Sequence, residues 1–370
     1  MKGQFHFYDH YMNAVYLDSA ASTLMPRPVV DAITEYNHIA LTVGRTVYSE
    51  DWSREVDRVR LKVQEALGDS REVAFTSGAT ESINMIAKGL PPMVRRKIIV
   101  STVEHVSNIL PWSHMQGHSL HFVNFADLLE SIDERVAILA ITEMGNVNAA
   151  SPQNLERILL KCQDCGVISV LDSTQAIRYR QNLRVKPTFR VFSGHKVYGP
   201  TGIGVLCGDL DLLSPMKVGS GHITDPLGYI SSGHSAAFLD ASPFHLETGT
   251  PNISGIIGLG AALTFRKCLP PSDDTLFPTL DAGLRQRDYV DGVYSTWNPG
   301  IMAFKVKGHD CHEVAADLFS RGIYVRSGNC CTTHFQDVVR ISLGCYNDRR
   351  DISTFFKVLD FLYGSGKEYE

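Results

Sequence analysis

The sequence lacks the features that mark several large classes of protein. None of its apolar runs is long enough to span a bilayer, and it contains no internal repeat and no low-complexity tract. Lysine and arginine together number 35 against 40 acidic residues, which gives a formal net charge of −5. The basic surface typical of proteins that bind nucleic acids is therefore missing. We expect neither a nucleic acid nor a membrane as a partner.

Cysteine is sparse as well. The eight cysteines are scattered over 370 residues, far below the density of a small disulfide-stapled secreted domain. Cys162 and Cys165 have the spacing of half a zinc or redox site, but no second such pair exists, and Gly166 ends the helix-like run that contains them. The amino-terminal residues show no long apolar segment typical of a signal peptide. We expect free thiols, no metal and a cytoplasmic location.

What the chain does contain is an alternation of apolar strands and amphipathic helices. A short strand before residue 77 is followed by Ile83, Ile86 and Leu90 at helical spacing, and the same order of strand and helix recurs as far as residue 208. This pattern predicts an α/β fold with a mostly parallel sheet covered by helices on both faces. The composition changes near residues 269–278. We therefore predict a large domain of residues 15–265 and a smaller α+β domain of residues 1–14 and 266–370.

Polar residues gather where the predicted strands end. These clusters are Ser77–Thr80, Glu104–His105, Asp172–Gln175 and Ser193–Lys196. In sheets of this kind ligands bind beyond the carboxyl ends of the strands. The four clusters are therefore expected at one edge of the sheet.

Each cluster has a possible chemical role and a structural alternative. The small residues before a helix at 77–80 can bind one phosphate, although a tight turn with a helix cap explains them too. The carboxylate of Asp172 can pair with a cationic ring nitrogen, or it can simply cap a turn. His105 can act as a general acid or base, stack on an aromatic ring, or have a structural role. Lys196, with Ser and His beside it and glycines on both sides, suits a Schiff base with a carbonyl. Together these roles describe one cofactor, pyridoxal 5′-phosphate (PLP).

These residues carry a resemblance to a known family. The chain resembles the class V aminotransferase superfamily of fold-type I PLP enzymes, and most of all the cysteine desulfurases and selenocysteine lyases. The resemblance implies a large domain with a seven-stranded, mostly parallel sheet and a smaller domain that carries a catalytic cysteine loop. The similar segments are YLDSAAST (16–23), TSGATESIN (76–84), STVEHVSNILPW (101–112), LDSTQA (171–176), FSGHKVYGPTGIGVL (192–206), ETGTPNISGIIGLGAAL (247–263), YVRSGNCCT (324–332) and VRISLGCYN (339–347).

The resemblance implies a role for each matching residue. Lys196 would hold PLP as a Schiff base, Asp172 would hold the proton of the pyridine nitrogen, and Gln175 would hydrogen-bond the phenolic oxygen. His105 would stack on the ring and move protons. The phosphate ligands would be Gly78, Ala79, Thr80, Ser193 and His195, and Thr250 would reach the phosphate of a neighbouring subunit, which implies a homodimer.

On the substrate side, the resemblance implies that Arg340 binds the α-carboxylate and that Cys331 receives the sulfur as a persulfide, for transfer to an acceptor protein. Cys330 adjoins Cys331, so either thiol is a candidate, and the sequence register favours Cys331. An asparagine typical of the family has no clean partner here, because Thr142 or Glu143 falls at its position, while Asn146 and Asn148 lie close by. The expected substrate is L-cysteine or L-selenocysteine. The alternative is another class V activity, namely an aminotransferase, an amino-acid lyase or an epimerase.

Overall fold

The computed structural model describes residues 1–43, 51–179, 182–217, 223–235, 237, 239, 243–296 and 300–364. The strands, numbered along the chain, are β1 (Val15–Tyr16), β2 (Val73–Thr76), β3 (Lys97–Ser101), β4 (Ser119–Val123), β5 (Val136–Thr142), β6 (Ile168–Asp172), β7 (Phe189–Ser193), β8 (Gly204–Gly208), β9 (Val290–Tyr294), β10 (Ile301–Val306), β11 (Ile323–Tyr324), β12 (Arg326–Gly328) and β13 (Val338–Ser342).

The α-helices are α1 (Phe7–His10), α2 (Arg27–Val43), α3 (Asp51–Leu67), α4 (Ala79–Gly89), α5 (Leu110–Ser113), α6 (Leu128–Ser131), α7 (Leu155–Asp164), α8 (Pro226–Ser231), α9 (Ile253–Lys267), α10 (Leu276–Arg285), α11 (Cys311–Ser320) and α12 (Arg349–Tyr363). Within the described ranges, no helix is both long enough and apolar enough to cross a membrane.

The main sheet has the strand order β2-β8-β7-β6-β5-β3-β4. Strands β4, β3, β5, β6 and β7 run parallel to one another, whereas β8 is antiparallel to both β7 and β2. Every residue of the interior strand β5 is buried, as its nearly uninterrupted apolar sequence predicts for a strand covered on both faces. The predicted fold class, a mostly parallel seven-stranded sheet with helices, is confirmed.

Helices cover this sheet on both faces. On one face the apolar side of α4, with Ile83 and Ile86, packs in a core cluster with Trp112. On the other face α7 contributes Ile158 and Leu159 to a second cluster. The helix ends where its sequence predicts, because Gly166 lies just beyond it with φ of +61°, a backbone conformation that glycine adopts at little cost.

A second, antiparallel sheet has the order β12-β13-β10-β9 and shares a separate core with α10, α11 and α12. The chain segment after β1 lies against this second sheet. Strand β1 pairs with β11, and Asp18 forms a parallel bridge with Ser342 at the end of β13. Residues 18–23 are therefore in contact with the second sheet while they also reach the polar edge of the first, where Thr23 bonds to the carbonyl of His195.

Candidate active site

Lys196 lies at the end of a short 3₁₀ turn, Gly194–Lys196, which follows β7 directly. Its Nζ donates hydrogen bonds to the carbonyl oxygens of Ala20 at 2.6 Å and Ala21 at 2.7 Å. Burial lowers the pKa of Lys196 to about 7, and the charges of Arg340 and Arg178 lower it further. An amine with a pKa near neutrality is available as a nucleophile toward a carbonyl carbon.

His105 follows β3 and caps a 3₁₀ turn, where its Nδ1 accepts a hydrogen bond from the amide of Ser107 at 3.2 Å. Burial lowers the pKa of His105 to about 4, with further lowering from the charges of Lys196 and Arg340. The ring is therefore neutral near pH 7. A neutral, desolvated imidazole at this strand end is suited to stack on an aromatic ligand and to accept a proton.

Asp172 and Gln175 come from the end of β6. The carboxylate of Asp172 accepts a hydrogen bond from the amide of Thr174 at 2.9 Å, and burial raises the pKa of Asp172. The amide nitrogen of Gln175 donates to the carbonyl of Ala20 at 2.9 Å, the same oxygen that accepts from Lys196. The structure therefore brings the Asp172 turn, Gln175 and Lys196 to one edge of the sheet. A buried carboxyl group in this position is stabilised in its charged form by a cationic partner.

The expected phosphate ligands also lie together. Helix α4 begins at Ala79, and its N-cap residue Gly78 makes no side-chain cap. The amide of Ala79 donates to Ser193 Oγ at 2.9 Å, and the hydroxyl of Thr80 lies 2.8 Å from that of Ser107. Such a helix start, with its dipole and amide groups, is suited to an anion. A Cβ at Gly204 of β8 would lie 2.4 Å from the Cα of Gly78, so this close backbone approach requires glycine.

His195 precedes Lys196 in the same turn. Its carbonyl accepts hydrogen bonds from both the amide and the hydroxyl of Thr23. Burial lowers the pKa of His195 to about 4, and the charge of Lys196 adds to this effect. The imidazole is therefore neutral, and it is suited to donate a hydrogen bond to an anion rather than to act as a cation.

Arg340 lies on β13 and is buried. Its Nη2 donates to Asp18 Oδ1 at 2.9 Å, and its Nη1 donates to the carbonyl of Asn146 at 3.1 Å. Its Nε is buried and has no hydrogen-bond partner. A guanidinium whose two Nη nitrogens are held and whose Nε has no partner is suited to bind a carboxylate as a hydrogen-bond donor.

The loop that carries Cys331 is attached to the loop that carries His105. The amide of Val106 donates to the carbonyl of Cys331 at 2.9 Å, and His105 forms an antiparallel bridge with Thr332. The side-chain amide of Asn146 donates to the carbonyl of Cys330 at 2.7 Å. These bonds bring the cysteine loop, the histidine loop and the arginine site together.

The two adjacent thiols have different surroundings. Cys331 is exposed, whereas Cys330 is buried against Val147, Ala303 and Val338. Burial also raises the pKa of Cys330. Since the thiolate is the reactive form, Cys331 is the better placed nucleophile of the pair.

The residues present fit PLP. Several buried polar atoms without a hydrogen-bond partner lie at this site, namely Thr174 Oγ1, Asn146 Oδ1 and Arg340 Nε. Buried polar groups are almost always hydrogen-bonded in folded proteins, so this concentration is typical of a site that a polar ligand completes. The carboxylate of Asp172, the side-chain amide of Gln175 and the start of α4 would offer partners for the ring nitrogen, the phenolic oxygen and the phosphate of PLP.

Thr250, in contrast, is exposed and lies outside this cluster of side chains. The segment before it is held by a buried ion pair, in which both guanidinium Nη atoms of Arg60 contact the carboxylate of Glu247. The same carboxylate accepts from the amide of Phe75 at 2.6 Å. The backbone that presents Thr250 at the surface is therefore anchored to α3 and β2.

Sequence reasoning did not recognise two buried carboxylates that support the site. Glu104 is fully buried and accepts hydrogen bonds from the amide of Thr142 and from Asn108, and burial raises its pKa to about 8. Glu143 is buried in an ion pair with Arg190, and its amide donates to the carbonyl of Asp172. Glu104 adjoins His105 and Glu143 ends a predicted strand, but a single sequence does not show that either carboxylate is buried.

Of the two asparagines left open by the sequence, Asn146 contacts the site and bonds to both the arginine and the cysteine loop. Asn148 instead bonds to its own turn, at the amide of Ala150. The sequence places both asparagines in the polar turn that follows a buried strand. This position indicates a site residue in the turn, but it does not distinguish Asn146 from Asn148.

The fold and this set of side chains define an α/β enzyme that uses PLP. The class V aminotransferase family model matches residues 15–355. A probable cysteine desulfurase of Pseudomonas aeruginosa is 34% identical, with 93% of this chain and 92% of that protein covered. The apo structure of a cysteine desulfurase from Thermococcus onnurineus is similar with a TM-score of 0.86 at 28% identity, covering 98% of this chain and 97% of the other.

The structure of the Escherichia coli cysteine desulfurase CsdA is similar with a TM-score of 0.83 at 27% identity, covering 97% of this chain and 96% of the other. The chain therefore belongs to the class V aminotransferase family. Its PLP cofactor and its fold class, both expected from the sequence, are confirmed.

Proposed function

We propose that this chain is a PLP-dependent cysteine desulfurase, which converts L-cysteine to L-alanine and leaves the sulfur on Cys331 as a persulfide. One observation carries the proposal. The exposed Cys331 lies in a loop that is attached, through the hydrogen bond from Val106 and the bridge at Thr332, to the loop of His105. The pKa of His105 is lowered by burial first and then by the charge of Lys196. This backbone link between the cysteine loop and the histidine loop supports a role for the Cys331 thiol at the PLP site.

On this proposal each side chain has a defined task. Lys196 would hold the cofactor, and its amine would move the α-proton of the substrate, with His105 as the second proton carrier. Asp172 holds the proton of the pyridine nitrogen, and Gln175 donates to the phenolic oxygen. The phosphate is bound at the start of α4 by Gly78, Ala79, Thr80, Ser193 and His195. When bound, PLP supplies an electron sink that makes breaking bonds next to the substrate α-carbon feasible.

Arg340 binds the substrate α-carboxylate through its free Nε edge, which places the substrate between Lys196 and the cysteine loop. The Cys331 thiolate then attacks the substrate sulfur. A sulfur–sulfur bond forms, the carbon–sulfur bond breaks, and its electron pair remains with the carbon skeleton, which takes up a proton to become L-alanine. The exposure of Cys331 allows an acceptor protein with its own thiol to take the persulfide sulfur. The same steps apply to L-selenocysteine.

The assembly we propose is a homodimer, in which Thr250 completes the phosphate site of the neighbouring subunit. Two observations support this. Thr250 is exposed, and the segment that leads to it is fixed by the ion pair between Arg60 and Glu247.

We also propose a large domain of residues 15–265 and a small domain of residues 1–14 and 266–370, supported by the two separate sheets. All eight cysteines are free thiols, which supports a cytoplasmic location.

The test is a comparison of two adjacent cysteine variants with the unmodified enzyme. With L-cysteine and a thiol reductant, the enzyme and Cys330→Ser should release L-alanine and sulfide, whereas Cys331→Ser should lose most of this activity. Cys330→Ser is the matched control, because it makes the same chemical change one residue away. Alanine formation that survives in Cys331→Ser and disappears in Cys330→Ser would exclude the proposed nucleophile. Turnover of other amino acids but not of L-cysteine would instead indicate the aminotransferase, lyase or epimerase activity.

A further inference from the structure

Asp18 lies beside Arg340 because the backbone places it there. It forms a parallel bridge with Ser342, whose amide donates to the carbonyl of Leu17 at 2.7 Å. The hydroxyl of Ser342 in turn accepts from the amide of Ala20 at 2.7 Å. Asp18 is thus held on both sides by backbone contacts with β13, although more than 300 residues separate the two segments.

The contact between the two side chains is specific. Asp18 Oδ1 accepts from Arg340 Nη2 at 2.9 Å, and the Arg340 and Asp18 side chains retain 4% and 14% of their exposure. The second anchor is the carbonyl of Asn146, which accepts from Nη1. Both contacts are made at the far end of the guanidinium, so they fix the plane and the rotation of the group.

The two anchors leave one edge of the guanidinium free. Nε is buried without a partner, and each Nη nitrogen carries two hydrogens, of which one is used in each contact. Nε and one remaining Nη hydrogen together form the side-on pair of donors that matches a carboxylate. A substrate carboxylate can therefore bind without displacing Asp18.

We propose that Asp18 is a positioning residue, which turns Arg340 so that its Nε edge faces the α-carboxylate of the substrate. This inference rests on the proposed function, since it assigns the partner of Arg340 in that reaction. Asp18 also offsets the positive charge of Arg340 next to Lys196, so that two cations do not lie uncompensated in one buried site.

The experiment measures carboxylate recognition apart from turnover. The holoenzyme is titrated with L-alanine, and with ethylamine, which has the amino group but lacks the carboxylate, while the absorbance of the bound cofactor is followed. In Asp18→Ala we expect the Kd for L-alanine to rise about tenfold, because a charge-assisted hydrogen bond that orients the guanidinium is lost. In Asp18→Asn, which retains an acceptor oxygen, we expect a rise of about threefold. The Kd for ethylamine should stay the same in both.

Asp360→Asn is the matched control. Asp360 forms an ion pair with Arg287 near the second sheet, so this variant also removes the carboxylate partner of an arginine. It should leave both affinities unchanged. The positioning role is wrong if Asp18→Asn binds L-alanine as tightly as the unmodified enzyme. It is also wrong if the affinities for L-alanine and for ethylamine fall together. Both outcomes can be read from Asp18→Asn, even if Asp18→Ala does not fold. If the unmodified enzyme fails to prefer L-alanine to ethylamine, the carboxylate assignment of Arg340 in the proposed function fails as well.

Discussion

The protonation of Lys196 gives a prediction whose magnitude follows from its surroundings. Burial, with the charges of Arg340 and Arg178, lowers the pKa of Lys196 from 10.5 to about 7. In the cofactor-free protein the unfolded chain therefore binds one more proton than the folded chain across most of the range from pH 7 to pH 10. Stability rises with pH wherever the unfolded state binds more protons. Lys196 thus destabilises the cofactor-free protein at neutral pH and does so progressively less as the pH increases.

The expected size follows from these two pKa values. Each tenfold change in a protonation equilibrium is worth about 1.4 kcal/mol, so the full destabilisation below pH 7 is on the order of 5 kcal/mol. Between pH 7 and pH 9 about 2 kcal/mol of this is recovered. Substitution of Lys196 by Met removes the amine and retains much of the side-chain volume. The stability advantage of Lys196→Met over the unmodified protein should therefore be about 2 kcal/mol smaller at pH 9 than at pH 7.

The assay is urea unfolding of cofactor-free protein at the two pH values, since a lysine joined to PLP no longer titrates as a free amine. Lys267→Met, which removes an exposed lysine paired with Glu65, is the control, and its stability difference from the unmodified protein should be the same at pH 7 and pH 9. An equally constant difference for Lys196→Met would refute the reasoning. It would mean that the carbonyl groups of Ala20 and Ala21 keep the amine charged in the folded protein.

Two further predictions concern the segment that presents Thr250. Glu247→Ala leaves the buried guanidinium of Arg60 without its carboxylate and should lower the free energy of unfolding by about 3 kcal/mol; a loss below 1 kcal/mol in urea unfolding would mean that water replaces the carboxylate. Dilution of the holoenzyme until it dissociates into monomers should release PLP, because each phosphate site would lose its Thr250. Sedimentation combined with cofactor absorbance measures this, and a monomer that keeps its full cofactor content would contradict the shared site.

The outcome for Cys330 and Cys331 shows how far sequence reasoning reached on the substrate side. The resemblance favoured Cys331 by register alone, and two adjacent cysteines in one loop offer no local difference in chemistry. The structure separates them, because the loop has positive φ at both residues and places Cys330 against the apolar core of the second sheet. The choice of Cys331 as the nucleophile remains a prediction, and its exposure supports it.

The sequence by itself determined the alternation of strands and helices, the polar clusters at the strand ends and the lysine segment that points to PLP. These features are local, since a few consecutive residues carry each of them, and the parallel sheet brings the strand ends to one edge whatever the loops do. Only the tertiary structure decided that Asp18 holds Arg340, that Asn146 joins the arginine to the cysteine loop, and that the buried Glu104 meets the amide of Thr142. Such contacts join segments up to 322 residues apart, and no local pattern encodes which distant side chain a buried charge meets.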